Sequence, residues 1–222
     1  MGSRVWALGV QFAAMAASSS TTLVNALAAR RASGETARAI RIASVLFITV
    51  LTAAAAQISI PLPFTNVPLT LQPMVVLLGA LALGSRLGSA SQILYLAAGI
   101  AGLPVFAASA SLPPGPLRLL GPTGGYLMAY PLAAFVTGYL AERGFDRRYI
   151  MSVVAMLAGL LVIYTAGMTW LGLFARTSEG TAPGMSVALF TGVYPFIVPD
   201  LIKLAVAAGL VPALWRLLGR PH

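Results

Sequence analysis

The sequence contains no cysteine and a single histidine, His222, at its very end. Disulfide frameworks, thiol nucleophiles and Cys/His metal sites are thereby excluded, so no metal or cofactor is expected and no redox compartment can be read from the chain. Charge is scarce too: Asp, Glu, Lys and Arg together make up 9% of the residues, and only five of these residues are acidic. The 14 basic residues give a formal charge of +9. A nucleic-acid surface would gather such charge with aromatics on a soluble face. Here the arginines instead punctuate apolar runs, and nucleic acid is not an expected partner.

What the chain has in abundance is hydrophobic residues, 59% of its 222 positions. Several apolar stretches are long enough to cross a bilayer core of about 30 Å, which takes roughly 20 helical residues. Spanning segments must be helices or closed barrels, because backbone polar groups find no water in lipid, and these runs are continuous rather than alternating with period two. The expected fold is an all-α integral membrane protein, a bundle of six transmembrane helices over residues 41–58, 69–83, 88–102, 123–141, 150–174 and 199–217. The tails and the linkers after the second and fourth spans hold 11 arginines, whereas the opposite linkers hold only Arg118 and Arg176. This positive-inside bias places both termini in the cytoplasm of a multi-pass plasma-membrane protein.

Residues 5–17 are apolar and follow Arg4, as the core of a signal peptide would. Cleavage there would leave Arg30 and Arg31 outside, so residues 1–38 are expected to be an uncleaved, loosely ordered extension, and 39–222 the membrane domain. No inverted repeat relates 41–102 to 123–217, although such repeats are common in self-sufficient carriers. The chain therefore looks like a binding subunit.

Three constellations carry polar chemistry. The first is Pro199-Asp200-Leu201-Ile202-Lys203, at the head of an apolar segment. A charge at the centre of a membrane helix costs roughly 2.5–3.5 kcal/mol on insertion scales and usually marks a pathway or ligand site. A spacing of three places Asp200 and Lys203 on one helical face. Pro199 suits a first turn, which would set Asp200 near the positive helix end. The carboxylate can accept from amide or ureido N–H groups and the ammonium can donate to a carbonyl; a self-neutralising structural pair is the alternative.

The second constellation spans residues 102–126, a proline-rich linker leading to Gly121-Pro122-Thr123-Gly124-Gly125-Tyr126. Long connections of this kind tend to be lids or binding loops. Gly124 and Gly125 permit close approach, either of a ligand or of another helix. Arg118 can clamp a carboxylate with its planar fork or rest on lipid phosphates. The third constellation is the proline-stiffened outer turn 60–68 followed by Gln72, which can bond a ligand amide or a neighbouring helix. Tyr164, Trp170, Tyr194 and Phe196 are candidate apolar walls or interface anchors. An enzyme is not expected: the spans offer one carboxylate and one amine, with no internal histidine or cysteine.

Five stretches in order, Gln57-Ile58-Ser59-Ile60-Pro61, Val67-Pro68-Leu69-Thr70-Leu71-Gln72, Gly102-Leu103-Pro104-Val105-Phe106-Ala107, Gly121-Pro122-Thr123-Gly124-Gly125-Tyr126 and Pro195-Phe196 with Asp200 and Lys203, resemble the BioY family. That family comprises the biotin-specific S components of energy-coupling factor (ECF) transporters. The resemblance implies high-affinity biotin capture in a six-helix bundle of the S-component type, with Asp200 and Lys203 on the ureido end, Arg118 on the carboxylate, and Tyr126, Gly125 and Gln72 lining the pocket. It also implies partners: membrane lipid, an ECF coupling protein and two cytoplasmic ATPases, since this chain has no P-loop. A homo-oligomer is left open. The small pair Ala39 and Ala43 shows the spacing of four that S components use for docking. The family's glycine before the aspartate is replaced here by Pro199.

Overall fold

The computed structural model describes residues 22–30, 33–108, 112–176 and 181–218. The chain is built almost wholly of helices: α1 (Leu23–Arg30), α2 (Gly34–Gln57), α3 (Gln72–Leu83), α4 (Ser85–Ile100), the single turn α5 (Leu117–Leu120), α6 (Gly124–Ala141), α7 (Tyr149–Leu173), α8 (Met185–Gly192), α9 (Tyr194–Ala207) and α10 (Leu210–Leu217). Three stretches among the described residues are long and apolar enough to cross a bilayer: Gly34–Gln57, Tyr149–Leu173 and Tyr194–Leu217. Large apolar side chains such as Phe47, Val50, Leu161 and Val206 stand exposed on these helices, as lipid-facing residues do.

Two departures from the expected architecture follow from local chemistry. The proline-rich turn is a two-stranded antiparallel hairpin, β1 (Ser59–Leu62) and β2 (Thr65–Thr70), pairing Ser59 with Thr70 and Leu62 with Thr65. A two-stranded ribbon has only edge strands, so prolines without an N–H are tolerated in it, and the register shifts between Ile60 and Leu62, around Pro61. The second departure is α8, an eight-residue helix in a stretch read as linker; Gly184, at φ 88, precedes it.

The central pair is α6 against α7, flanked by α3 and α4. Leu77, Leu81, Tyr95, Met156, Ile163 and Leu204 are fully buried between these elements and α9. The turn from α3 to α4 is as short as it can be, with Gly84 at φ 88, a conformation that favours glycine. The Ser85 N–H and hydroxyl both donate to Glu142 Oε1 at 2.8 Å, and α6 crosses the turn so closely that a Cβ on Gly138 would lie 2.3 Å from the Gly84 carbonyl carbon. Small residues at such crossings allow backbones to meet where lipid supplies no hydrophobic drive.

Part of the stretch expected to be loose is built into the fold. Leu23, Val24 and Ala28 of α1 are buried, the Thr22 hydroxyl donates to Leu83 O at 3.3 Å, and Arg30 Nη1 donates to Leu218 O at 2.6 Å. Helix α2 begins at Gly34 with Ser33 as its cap, its Oγ accepting from Thr36 N at 3.2 Å. The apolar segment 5–17 lies outside the described residues.

Candidate functional site

At the ends of α3, α6, α7 and α9 the helices diverge around a cavity of about 300 Å³, large enough for one small solute. Strand β2 and residues 106–108 complete its wall. Gln72, Arg118, Tyr126 and Asp200, four of the six residues marked in the sequence as binding candidates, line it together, although they are drawn from four different elements.

Asp200 is 3% exposed, and both of its oxygens are met. Lys203 Nζ lies 2.5 Å from Oδ1, and the Tyr164 hydroxyl donates to Oδ2 at 2.7 Å. Lys203 is not on the wall. It sits one helical turn behind Asp200 and also donates to the Thr70 carbonyl at 2.7 Å, so a single ammonium neutralises the carboxylate and fastens the end of β2 to α9. The helix starts at Tyr194 with Pro195 in its first turn, and Pro199 is internal. Asp200 therefore lies in the second turn, beyond the reach of the positive helix end, and Lys203 and Tyr164 stabilise its charge instead.

Arg118 is 8% exposed. Its Nε donates to Pro113 O at 3.1 Å and its Nη1 to Ala107 O at 2.7 Å, ties that hold the proline-rich segment against α5. Burial lowers the guanidinium's proton affinity from its usual value, yet arginine stays charged. With Asp200 neutralised by Lys203, Arg118 leaves the described wall with one net positive charge, a field suited to a mono-anion.

The Tyr126 hydroxyl is committed to Gly192 O at 2.7 Å, so this residue offers its ring to the cavity. That side chain fits because positions 167 and 192 are glycine; a Cβ at 167 would lie 2.2 Å from the ring and one at 192 would lie 2.3 Å from the hydroxyl. Gly125 stands instead at a helix crossing: a Cβ on it would lie 2.2 Å from Trp170 Cβ and 2.7 Å from Ala166 O. Helix packing accounts for this glycine. Gln72 opens α3, its Nε2 donating to the Tyr95 hydroxyl at 2.7 Å. Ala39 and Ala43 are exposed on α2, remote in sequence from every wall residue.

Of the aromatics read as walls or anchors, Phe196 lines the cavity and Tyr164 does so while holding Asp200. Trp170 donates its indole N–H to Gly121 O at 2.9 Å, and Tyr194 is half exposed. Tyr130 and Asn66 also reach the wall. Neither is marked in the sequence, since a tyrosine inside an apolar run and an asparagine in a turn carry no distinguishing pattern. No cluster of potential metal ligands is present among the described residues.

The sequence and fold have close parallels. The model of the BioY family matches residues 9–220. The "Probable biotin transporter BioY" of Pyrococcus horikoshii is 42% identical over 170 residues, covering 77% of this chain and 93% of that protein. The "Biotin transporter BioY" of Thermotoga maritima is 38% identical over 169 residues, covering 76% and 92%. A crystal structure of the S-component for biotin from an ECF-type ABC transporter superposes with a TM-score of 0.71 at 23% identity, covering 83% of this chain and 95% of that one. At that identity the likeness bears on the fold.

Proposed function

Because the chain belongs to the BioY family, we propose that it captures biotin from the outer side of the cytoplasmic membrane as the S component of an ECF transporter. The observation that carries this reading is the set of polar groups that one cavity brings together: a neutralised carboxylate bonded to a tyrosine, a glutamine and a buried arginine. Biotin has two ureido N–H groups and a ureido carbonyl at one end and a carboxylate at the other. The N–H groups suit Asp200 and Gln72, and the carboxylate suits Arg118. The apolar middle of the molecule suits the faces of Tyr126, Tyr130 and Phe196. Lys203 contributes by pairing with Asp200 and by fixing the floor of the hairpin.

In this reading α2, α3, α4, α6, α7 and the α9–α10 pair make six crossings with both termini in the cytoplasm. At 12 residues, α3 is about 18 Å long and cannot cover a core of about 30 Å by itself. The shortfall falls at its Gln72 end, where the hairpin and the cavity take over, so the ligand sits at membrane depth below the outer surface. A coupling protein and two ATPases supply the energy for inward release, and the exposed small pair Ala39 and Ala43 on α2 is where the coupling protein docks.

Titration of the detergent-purified chain with biotin, against desthiobiotin, thiamine and riboflavin, tests the proposal. Tight one-to-one binding of biotin is expected. A folded sample that ignores biotin, or prefers another vitamin, overturns it.

A further inference from the structure

Tyr95 of α4 is fully buried and stands behind the cavity wall rather than on it. Its hydroxyl lies 3.1 Å from Val105 O and 2.7 Å from Gln72 Nε2. A tyrosine hydroxyl has one proton to give. Val105 O can only accept, so the first contact uses that proton, and the tyrosine oxygen must accept in the second. The side-chain amide of Gln72 is thereby fixed with its nitrogen on Tyr95. Its carbonyl, Oε1, accepts no bond from a described residue and is the polar atom Gln72 has left to offer the cavity it lines.

From this geometry we infer that Tyr95 is a positioning residue: by holding Gln72 in one amide orientation, it makes that wall position a hydrogen-bond acceptor that selects a ligand N–H. Resting on the biotin reading, the selected group is one of the two ureido N–H groups. With the amide turned over, Nε2 would meet a ureido N–H donor to donor, and a buried donor left without a partner is strongly unfavourable.

The ring of Tyr95 is well held for this task. It packs edge-on against Phe106, centroids 5.4 Å apart at 79°, and lies 6.4 Å from Tyr130, and both of these residues are on the wall. Phe106 in turn occupies the space over Gly99, where a Cβ would lie 2.0 Å from the ring. Since Val105 and Phe106 belong to the segment that Arg118 also ties down through Ala107, the Tyr95 hydroxyl joins the acceptor position to the segment that carries Phe106 and Ala107 of the wall.

The test is a double-mutant cycle on the full chain, with biotin affinity measured for the unaltered protein, Tyr95→Phe, Gln72→Leu and the double variant, and with thermal melting as the folding control. Tyr95→Phe keeps the ring and removes only the hydroxyl. It is expected to weaken binding about tenfold, and Gln72→Leu at least as much. The double variant should bind within about twofold of Gln72→Leu, because once the amide is gone nothing remains for the hydroxyl to orient. Tyr95→Phe binding at full affinity, or losses that multiply in the double variant, would overturn the inference. So would a Tyr95→Phe chain that fails to fold, since the hydroxyl would then be structural. An unaltered chain that binds no biotin sinks the function reading as well; full biotin binding with an indifferent Tyr95→Phe sinks this inference alone.

Discussion

Among the described residues two carboxylates are buried, Asp200 and Asp146, one toward each end of α6, and they are built alike. Asp200 has Lys203 at 2.5 Å and an aromatic donor, Tyr164, at 2.7 Å. Asp146, in the turn between α6 and α7, has Arg147 Nε at 3.4 Å and the Trp215 indole N–H at 2.6 Å, with the guanidinium stacked 4.0 Å from the indole centroid. Both carboxylates are almost sealed from solvent. The difference lies in what stands in front of them. Asp200 faces the cavity, whereas Asp146 is covered by Trp215, the residue that anchors α10. A buried ion pair is therefore not evidence of a binding site by itself; the empty space beside it makes the distinction.

That contrast is broken most sharply at Asp200. Replacing it with Asn keeps the shape but removes the charge, leaving the Lys203 ammonium buried without its counter-ion. Loss of one partner from a buried charge pair costs about 2–5 kcal/mol, so biotin affinity should fall at least about thirtyfold for Asp200→Asn. Adding Lys203→Met should recover thermal stability without recovering affinity. If Asp200→Asn binds biotin normally, Asp200 and Asp146 are equivalents and the cavity reading is wrong.

A smaller effect is expected at Arg118, where the charge serves a second purpose by holding Pro113 and Ala107. Arg118→Gln retains a hydrogen-bonding side chain but removes the positive charge. Biotin should bind about tenfold more weakly, while an amide of biotin, which has no carboxylate, should lose less than about threefold. Equal losses for the acid and the amide would reduce Arg118 to a latch for the loop.

How much of this could be read from the sequence depends on whether the signal was local. Each apolar stretch marked there falls mostly on helix, because lipid forces the backbone to satisfy itself within the segment, but 69–83 begins in β2 and 199–217 is divided between α9 and α10. Asp200, Lys203, Arg118 and Gln72 were visible because polar residues are conspicuous in so apolar a chain. The hairpin was not: Pro61, Pro63 and Pro68 read as a stiff turn, and only the pairing of Ser59 with Thr70 reveals two strands. The roles of the Tyr164 and Tyr95 hydroxyls were hidden for a different reason. Their partners, Asp200 and Gln72, lie 36 and 23 residues away, and no local pattern marks a hydroxyl whose role is set by tertiary contact. Gly125 shows the reverse error of emphasis, since a glycine inside a motif marks close approach without saying whether a ligand or a helix approaches.

The smallest effect on binding is expected at Asp146, where affinity should be unchanged and stability should depend on pH. Burial pushes this carboxyl up to about 6, against an ordinary value of 3.8, although the Trp215 and Arg147 contacts pull the other way. A carboxyl whose folded value is raised takes up a proton more readily in the folded state than in the unfolded one. Its contribution is therefore fully present below about pH 4 and is lost as the pH rises through 6, by at most roughly 3 kcal/mol. The melting midpoint in detergent should fall between pH 4.5 and pH 7, and Asp146→Asn, which stays neutral throughout and can still accept from the Trp215 indole, should flatten that slope. Biotin affinity should stay within about twofold of the unaltered protein, since Asp146 lies at the far end of α6 from the cavity and distant sites act independently. A slope that survives the substitution would assign the pH dependence to another group. A loss of biotin affinity would mean that the two carboxylates are coupled through α6.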